Sequence, residues 1–192
     1  MIRIAIFASG SGSNAENIIN YFGGNDKINV GCIISNKKDA FVFERAKRLN
    51  IPAVFFSKED FYSSGKVIEF LIDAKINFIV LAGFLLKVPE NLINLFPQNI
   101  INIHPALLPK FGGKGMYGDH VHQAVIESGE KESGITIHYV NENYDEGTII
   151  FQAKCVVAPD DSYEDVAEKV HELEYRFYPQ VIENVLMDKC FY

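Results

Sequence analysis

The sequence predicts an α/β protein built on a Rossmann-like open twisted sheet. We expect this sheet to be mostly parallel, with helices on both faces and an antiparallel addition in the C-terminal half. In the first half of the chain, short runs rich in β-branched residues alternate with segments of helical periodicity, which is the pattern of βαβ units. In the second half, two apolar runs are separated by the short segment NENYDEG, and this spacing predicts a hairpin-like pair of strands.

The individual elements follow from these two patterns. The predicted strands of the first half are IRIAIFA, NVGCIIS, PAVFF, NFIVLAGF and IINIHP. The helical segments between them are AENIINYF, AFVFERAKRLN, KVIEFLIDAKI and PENLINLF. The run FIVLAGF is continuously apolar, as expected of a strand covered by helices on both faces. The hairpin comprises GITIHYV and GTIIFQAKCVV, and a closing helix follows with Asp161 or Ser162 as its N-cap.

Composition places the chain among folded soluble proteins and limits its partners. Its 192 residues fit one domain, and 48% of them are hydrophobic and 22% charged. The net charge of −7 argues against sequence-independent binding to nucleic acid or to an anionic membrane, because both need clustered Lys and Arg. We therefore predict small-molecule ligands, with no nucleic-acid partner and no membrane partner.

The cysteines and the hydrophobic runs indicate the compartment. Cys32, Cys155 and Cys190 form an odd set without a CxxC pair, which predicts neither a disulfide framework nor a zinc site. The N-terminal run MIRIAIFASG is about one strand long and lacks a signal-peptide cleavage pattern, and no later apolar run reaches transmembrane length. We therefore expect a cytoplasmic protein.

Asn102 and His104 are the first candidates for chemistry. Side chains two apart on a strand project from the same face, and Pro105 cannot continue a central ladder, so both are predicted at the carboxyl end of a strand. Open α/β sheets bind their ligands at that end. A lone buried histidine is more often a hydrogen-bonded core residue. An amide donor beside an imidazolium, however, suits a carbonyl oxygen that becomes negative during acyl transfer.

Asp145 lies in the segment NENYDEG, between the two strands of the predicted hairpin. The sequence alone leaves two interpretations open. Asp145 is either a turn-forming residue ahead of Gly147, or a carboxylate that folding brings beside His104. In the second case it would raise the pKa of the imidazole and pass a proton through water.

The segment ASGSGSN follows the first predicted strand and precedes the first helix. Backbone N–H groups at Gly10, Gly12, Ser13 and Asn14 could hold a phosphate at the helix N-terminus. The alternative is a glycine-rich turn without a ligand. The Walker pattern and the third glycine of the dinucleotide fingerprint are both absent, so the loop predicts at most a single bound phosphate.

Together these motifs resemble the folate-dependent formyltransferases. The resemblance rests on NIHPALLPKFGGKG, GITIHYVNENYDEGTIIFQAK and the N-terminal SGSGSN, and it extends through SNKKDAFVFERA, VLAGFL and LEYRFYP over nearly the whole chain. The element NIHPxLLP is shared by family members with different substrates. The position of SGSGSN and the chain length favour the branch that formylates glycinamide ribonucleotide in purine biosynthesis, with 10-formyltetrahydrofolate as co-substrate and no metal.

The resemblance implies a role for each matching residue. The implied catalytic residues are Asn102, His104 and Asp145. The implied phosphate-binding residues are Gly12, Ser13 and Asn14, and the implied glycinamide-binding and ribose-binding residues are His171 and Glu174. The implied folate-binding residues are Leu85, Leu86, Lys87, Val88, Asn102, Asn141, Glu142, Asn143, Tyr144 and Asp145. Residues 1–100 would then form a phosphate-binding half, and residues 101–192 a catalytic and folate-binding half, of a single domain.

Two features depart from the family pattern. Leu86 stands where relatives carry an Arg, and Lys87 is the candidate to replace that Arg in contacting the folate. The segment FGGKGMYGDHVHQAV is longer than the compact form of this loop. We interpret His120 and His122 within it as loop residues and not as metal ligands, because no Cys or acidic partner at ligand spacing accompanies them.

Two other functions remain open at this point. An amino-sugar formyltransferase would use the same Asn, His and Asp on another amine. A non-catalytic nucleotide-binding module would explain a Rossmann-like fold without chemistry, but it would not explain the Asn and His at the strand end. The sequence also leaves the assembly open, with a homodimer among the alternatives.

Overall fold

Seven strands form one mixed sheet in the computed structural model, which describes residues 1–189. They are β1 (Ile2–Phe7), β2 (Ile28–Ser35), β3 (Ala53–Phe55), β4 (Phe78–Leu81), β5 (Ile100–His104), β6 (Glu132–Tyr139) and β7 (Ile149–Val156). Their order across the sheet is β3-β2-β1-β4-β5-β6-β7. β1 pairs in parallel with β2 and with β4, and β2 pairs in parallel with β3, whereas β6 and β7 are antiparallel. The predicted fold class, including the antiparallel addition, is confirmed.

The helices include those predicted from the sequence and two that were not predicted, α3 and α6. They are α1 (Ser13–Tyr21), α2 (Val42–Arg48), α3 (Lys58–Tyr62), α4 (Lys66–Asp73), α5 (Glu90–Leu95), α6 (Asp119–Glu127) and α7 (Tyr163–Lys189). Helix α3 begins after Ser57 in a capping box with Asp60. Of the two candidate caps of α7, the structure selects Ser162, whose Oγ accepts a hydrogen bond from the backbone N–H of Asp165 at 3.2 Å. Within residues 1–189 no helix, α7 included, has the length and apolar character needed to cross a membrane.

Helix α6 corrects the sequence interpretation. The sequence predicts His120 and His122 to be loop residues, but both lie in this helix. The helix begins after Gly118 and buries Val121, His122 and Val125, a spacing that places them on one helical face. The glycine-rich stretch before the helix interrupts the apolar pattern, so the periodicity becomes visible only from Val121 onward.

The chain divides into two compact units. Unit 1 comprises residues 1–101 and 186–189, and unit 2 comprises Asn102–Val185. In unit 1, Phe7 of β1 is fully buried and packs edge-on against Phe61 and Phe84. In unit 2, many of the buried apolar side chains come from β6, α6 and α7. They include Ile135, Ile137, Val121, Val125, Val166, Val170, Tyr178 and Ile182.

The cysteines of the described residues are free thiols. Cys32 is buried in β2 and Cys155 is half-buried in β7, while Cys190 lies outside the described residues. Loss of hydration raises the pKa of the Cys32 thiol to about 12. Cys32 is therefore a small apolar core residue at neutral pH and not a nucleophile.

Candidate active site

Three of the predicted site residues meet at the end of β5, within unit 2. Asn102 and His104 lie two residues apart on this strand, and Asp145 reaches them from the segment between β6 and β7. Asp145 Oδ2 lies 3.6 Å from His104 Nδ1, and Asp145 Oδ1 lies 3.5 Å from Asn102 Nδ2. The structure thus brings the residues predicted to be catalytic close to one another.

Asp145 is held by its own backbone and by a glycine-rich segment. Its φ of 57° lies in the left-handed region, which Asp and Asn adopt more readily than most residues. The backbone N–H of Gly113 donates to Asp145 Oδ2 at 2.9 Å. Gly112 permits this approach, because a Cβ there would lie 2.5 Å from Leu108 Cδ2 and 3.3 Å from Asp145 Cβ. Asp145 therefore both shapes the turn and faces His104, so the two interpretations left open by the sequence are compatible.

His104 is buried, with 3% of its surface exposed, and its ring orientation is fixed. Nε2 lies 2.7 Å from the carbonyl oxygen of Phe111. Because a carbonyl oxygen only accepts, Nε2 carries the hydrogen, and Nδ1, which faces Asp145, carries the lone pair of the neutral ring. Burial lowers the pKa of His104 below its usual value, although the Asp145 carboxylate acts in the expected opposite direction. Desolvation is the larger effect, so the neutral imidazole is favoured.

Asp145 has the opposite charge preference. Burial raises the pKa of its carboxyl, but the flanking histidines and the Gly113 N–H together lower it by more, so this pKa lies below its usual value. At neutral pH an ionised carboxylate therefore stands beside a neutral imidazole. This arrangement allows the imidazole to take up a proton and stabilises the charged ring once it forms.

A fourth polar side chain, His138 of β6, belongs to the same group. Its Nε2 lies 3.2 Å from Asn102 Nδ2 and 3.6 Å from Asp145 Oδ1. Its Nδ1 lies 2.9 Å from the carbonyl oxygen of Tyr139. Only 2% of His138 is exposed. We refer to Asn102, His104, His138 and Asp145 as the strand-end cluster.

Thr136, two residues before His138 on β6, anchors the segment that follows β5. Its hydroxyl donates to the carbonyl oxygen of Ala106 at 2.7 Å and accepts from the backbone N–H of Leu108 at 3.0 Å. The side-chain amide of Gln152 on β7 also donates to Thr136 Oγ1, at 2.9 Å. Strand β6 thus fixes both the cluster and the turn beyond His104.

Helices α6 and α7 supply three further ionisable groups of unit 2. His171 Nδ1 lies 2.9 Å from Glu174 Oε2, and this hydrogen bond raises the pKa of His171. Glu174 is 5% exposed, so the carboxylate predicted to hold the glycinamide end is already desolvated. Burial lowers the pKa of His122, and the charges of His171, Glu174 and His104 also act on it. These groups and the strand-end cluster therefore influence one another electrostatically.

The glycine loop, residues 10–14, lies in unit 1 at the start of α1. Gly12 precedes the helix with a φ of 74°, and its carbonyl oxygen accepts from the backbone N–H of Glu16 at 2.9 Å. A Cβ at Gly12 would lie 2.3 Å from Val42 Cγ2, so only glycine fits. Ser13 and Asn14 form the first turn of α1, where the backbone N–H groups point toward the N-terminal end of the helix. The loop therefore has the backbone geometry of a small anion site.

Arg45 of α2 supports the glycine loop from outside. Its Nε donates to the carbonyl oxygen of Ser11 at 2.8 Å, and its guanidinium pairs with Glu16 of α1. Arg48 pairs with the same carboxylate, but it does not donate a hydrogen bond to Ser11. The loop itself contains no Lys or Arg, and Arg45 of α2 brings a positive charge into contact with it.

The two stretches predicted to bind folate lie in different units. In unit 1, the backbone N–H of Leu85 donates to Ser9 Oγ at 2.9 Å, and the Tyr62 hydroxyl donates to the carbonyl oxygen of Lys87 at 2.6 Å. Leu85 and Lys87 are exposed, Leu86 is half-buried and Val88 is buried. In unit 2, residues 141–145 are exposed or half-buried, as a binding loop requires. The folate-binding role of each residue stays a prediction.

In the part of the chain that the structure describes, no three or more His, Cys, Asp or Glu side chains are placed to hold a metal ion together. The polar groups of the strand-end cluster instead make hydrogen bonds or close contacts with one another and with backbone atoms.

Residues 2–182 match the family model described as formyl transferase. The chain belongs to the formyl transferase family. Phosphoribosylglycinamide formyltransferase of Haemophilus influenzae is 38% identical over 95% of this chain and 86% of its own length. The chloroplastic phosphoribosylglycinamide formyltransferase of Arabidopsis thaliana is 41% identical over 94% of this chain, which spans 64% of that relative's length. The crystal structure of phosphoribosylglycinamide formyltransferase from Streptococcus pneumoniae TIGR4 has a TM-score of 0.85 and 34% identity, covering 97% of this chain and 99% of that one.

Membership of the formyl transferase family confirms the resemblance seen in the sequence. Two residues beside the predicted site positions were nevertheless not predicted. His138 could have been predicted from the sequence. Thr136 and His138 are polar residues two apart in an otherwise apolar strand, as Asn102 and His104 are. Arg45 carried no such signal, because only the packing of α2 against the glycine loop brings it to Ser11.

Proposed function

We propose that this protein transfers the formyl group of 10-formyltetrahydrofolate to the amine of glycinamide ribonucleotide, as a phosphoribosylglycinamide formyltransferase of purine biosynthesis. The observation that carries the proposal is the pairing of neutral, buried His104 with ionised Asp145 at the end of β5. The relatives named as phosphoribosylglycinamide formyltransferases, at 38% and 41% identity, support this substrate over another amine.

The proposed reaction moves one formyl group and one proton. The amine nitrogen of glycinamide attacks the formyl carbon, and the carbonyl oxygen becomes negative in the tetrahedral intermediate. The bond from that carbon to N10 of the folate then breaks, giving formylglycinamide ribonucleotide and tetrahydrofolate. The amine loses a proton and N10 gains one, with no change in oxidation state. The catalyst must therefore stabilise an oxyanion and carry a proton.

The strand-end cluster contains groups suited to both tasks. The lone pair of neutral His104 lies on Nδ1, and a proton taken up there is stabilised by Asp145 at 3.6 Å. The charged imidazole can then stabilise the oxyanion or return the proton to the leaving nitrogen. Asn102 projects from the same side of β5, so it can contact the reacting groups as well.

The remaining predicted residues would bind the two substrates away from the reacting atoms. We assign the ribonucleotide phosphate to Gly12, Ser13 and Asn14, because the loop offers backbone N–H groups at a helix N-terminus. We assign the glycinamide and ribose to His171 and Glu174. The folate is assigned to residues 85–88, Asn102 and residues 141–145. Residues 1–100 and 101–192 would then serve as phosphate-binding and catalytic halves of one domain.

The decisive experiment is an incubation of the purified protein with 10-formyltetrahydrofolate and glycinamide ribonucleotide. We expect deformylation of the folate and appearance of formylated product at equal rates, with activity unchanged after treatment with a chelator. Folate deformylation without formylated product would contradict the proposal, and a reproducible metal requirement would contradict the metal-free mechanism.

A parallel reaction with an amino sugar tests the alternative substrate. Absence of turnover with either amine would favour the hypothesis that the protein is a non-catalytic nucleotide-binding module.

The location and the assembly belong to the same proposal. The free thiols Cys32 and Cys155 are consistent with a reducing compartment, and a cytoplasmic location stays our prediction. A homodimer stays an alternative that sedimentation of the purified protein would test.

A further inference from the structure

The side-chain amide of Asn102 has its orientation fixed by two neighbours. Its Nδ2 lies 3.2 Å from His138 Nε2 and 3.5 Å from Asp145 Oδ1. The carboxylate of Asp145 only accepts hydrogen bonds. Whether His138 Nε2 accepts or donates depends on which ring nitrogen carries the hydrogen.

The backbone decides this point. His138 Nδ1 lies 2.9 Å from the carbonyl oxygen of Tyr139, the next residue in the chain. Because that oxygen can only accept, Nδ1 carries a hydrogen, and in this tautomer Nε2 presents a lone pair to Asn102, which lies closer to Nε2 than Asp145 does. Both neighbours of Asn102 Nδ2 are therefore acceptors, and the NH₂ group must face them. Within residues 102–185, no hydrogen bond is made to Asn102 Oδ1.

We infer that His138 is a positioning residue, which holds the Asn102 amide with its NH₂ group toward His138 and Asp145 and its Oδ1 toward the substrate. The inference rests on the proposed function and deepens it. In this orientation Asn102 offers an acceptor to an N–H donor, which is the attacking amine of the substrate. In this orientation the amide donor of Asn102 does not face the oxyanion, in contrast to the role predicted from the sequence.

This orientation also assigns separate tasks within the strand-end cluster. An acceptor beside the amine orients its lone pair toward the formyl carbon, and it stabilises the amine as its nitrogen becomes positive during attack. His104, with Asp145 beside it, then remains the group that handles the proton and the oxyanion. Without His138, the amide of Asn102 could rotate by half a turn and present its NH₂ group to the amine.

Two amide substitutions of His138 test the inference. In His138→Gln, the amide lies where Nε2 stood, so Oε1 can still accept from Asn102. In His138→Asn, the side chain is one carbon shorter and ends near the position of Nδ1, so it cannot reach Asn102. Both replacements are polar and close in size, and thermal melting curves would verify that each variant folds. We expect His138→Asn to lower kcat by roughly 10- to 100-fold, while His138→Gln restores most of the turnover.

The split between kcat and KM and a double-mutant cycle complete the test. In His138→Asn we expect the KM of either substrate to change by less than about threefold, because the orientation matters chiefly during attack. In an Asn102→Ala background, His138→Asn and His138→Gln should give equal kcat values, because the residue through which His138 acts is gone. Two results would overturn the inference. One is equal kcat of His138→Asn and His138→Gln when Asn102 is present. The other is a difference in kcat between them that stays the same after Asn102→Ala. Absence of formyl transfer by the unsubstituted protein would instead contradict the proposed function.

Discussion

The glycine loop of unit 1 and the strand-end cluster of unit 2 position their polar groups by different means. The loop offers main-chain N–H groups, and its shape depends on the missing side chain of Gly12 and on the Arg45 contact to Ser11. The cluster offers side chains, and its shape depends on backbone carbonyls that fix the rings of His104 and His138. In one region side chains orient the backbone, and in the other the backbone orients side chains.

This difference determines which substitutions damage each region. In the strand-end cluster, a change of charge or hydrogen-bonding capacity alters the chemistry while the backbone can remain as it is. In the glycine loop, no single side chain carries the function, so a substitution acts by moving the main chain. We therefore expect cluster variants to lose turnover and loop variants to lose affinity for the ribonucleotide.

The largest effect is expected for Asp145→Asn. Asn tolerates the left-handed conformation at this position and can still accept from the Gly113 N–H, so the fold should be preserved. The substitution removes the negative charge that stabilises protonated His104. We expect kcat to fall by roughly 10²-fold or more, the order of magnitude of general acid–base participation. Steady-state kinetics of formyl transfer would measure this change.

Asp160→Asn is the matched control for Asp145→Asn. Asp160 is an exposed carboxylate of the same unit that lies outside the cluster, and its replacement should leave turnover within about twofold. Near-normal turnover of Asp145→Asn would reduce Asp145 to a residue that shapes the turn, and the contrast between the two regions would then rest on the other residues of the strand-end cluster.

A smaller effect, on binding, is expected for Gly12→Ala. The new Cβ would lie 2.3 Å from Val42 Cγ2, and alanine at a φ of 74° costs about 1–2 kcal/mol in addition. The loop must move, so we expect the affinity for glycinamide ribonucleotide to fall about tenfold or more. Titration with this substrate and with a non-reactive folate analogue would separate the two ligands, and only the first should weaken.

Gly10→Ala provides the control within the same loop. A Cβ at Gly10 meets nothing within 4 Å, and Gly10 does not have a positive φ. We expect both affinities to stay within about twofold of the unsubstituted protein. If Gly12→Ala weakened both ligands equally, or neither, the phosphate would have been assigned to the wrong loop.

Some features of the strand-end cluster could be predicted from the sequence and others could not, for physical reasons. Strand periodicity, Pro105 and the rule that strand ends carry ligands were enough to select Asn102 and His104. The meeting of Asp145 with His104 could not be derived from local pattern, because it depends on the left-handed turn at Asp145 and on the space left by Gly112. The direction of the pKa shift of His104 could not be predicted from the sequence either, because burial lowers this pKa and the Asp145 carboxylate raises it.

Helix α6 and Arg45 illustrate two other limits. Helix α6 follows a glycine-rich segment, and its first buried apolar residue is Val121. The residues before Val121 therefore give no helical periodicity from which the start of the helix could be predicted. Arg45 lies on a helix rich in charged residues, where an arginine is not distinctive in the sequence pattern, and only tertiary packing brings its Nε to Ser11. Side chains that act on a backbone from a distant segment leave no local pattern.

The smallest effect is expected for Arg45→Ala, which tests whether the side chain orients the loop. In a trans peptide the C=O and the next N–H point in opposite directions. Arg45 holds the carbonyl oxygen of Ser11 at 2.8 Å, so it directs the N–H of Gly12 away from α2. Its loss lets this peptide rotate, and we expect the affinity for glycinamide ribonucleotide to fall roughly three- to tenfold.

Arg48→Ala isolates the contribution of the Ser11 contact. Arg45 and Arg48 both pair with Glu16, and each substitution removes one positive charge and one partner of that carboxylate. Only Arg45 also donates to Ser11. Exposed ion pairs contribute little to stability, so Arg48→Ala should leave the affinity within about twofold. Equal weakening by both substitutions, measured by titration at one ionic strength, would attribute the effect to the positive charge near α1. The main chain of the glycine loop would then hold its shape without help from Arg45.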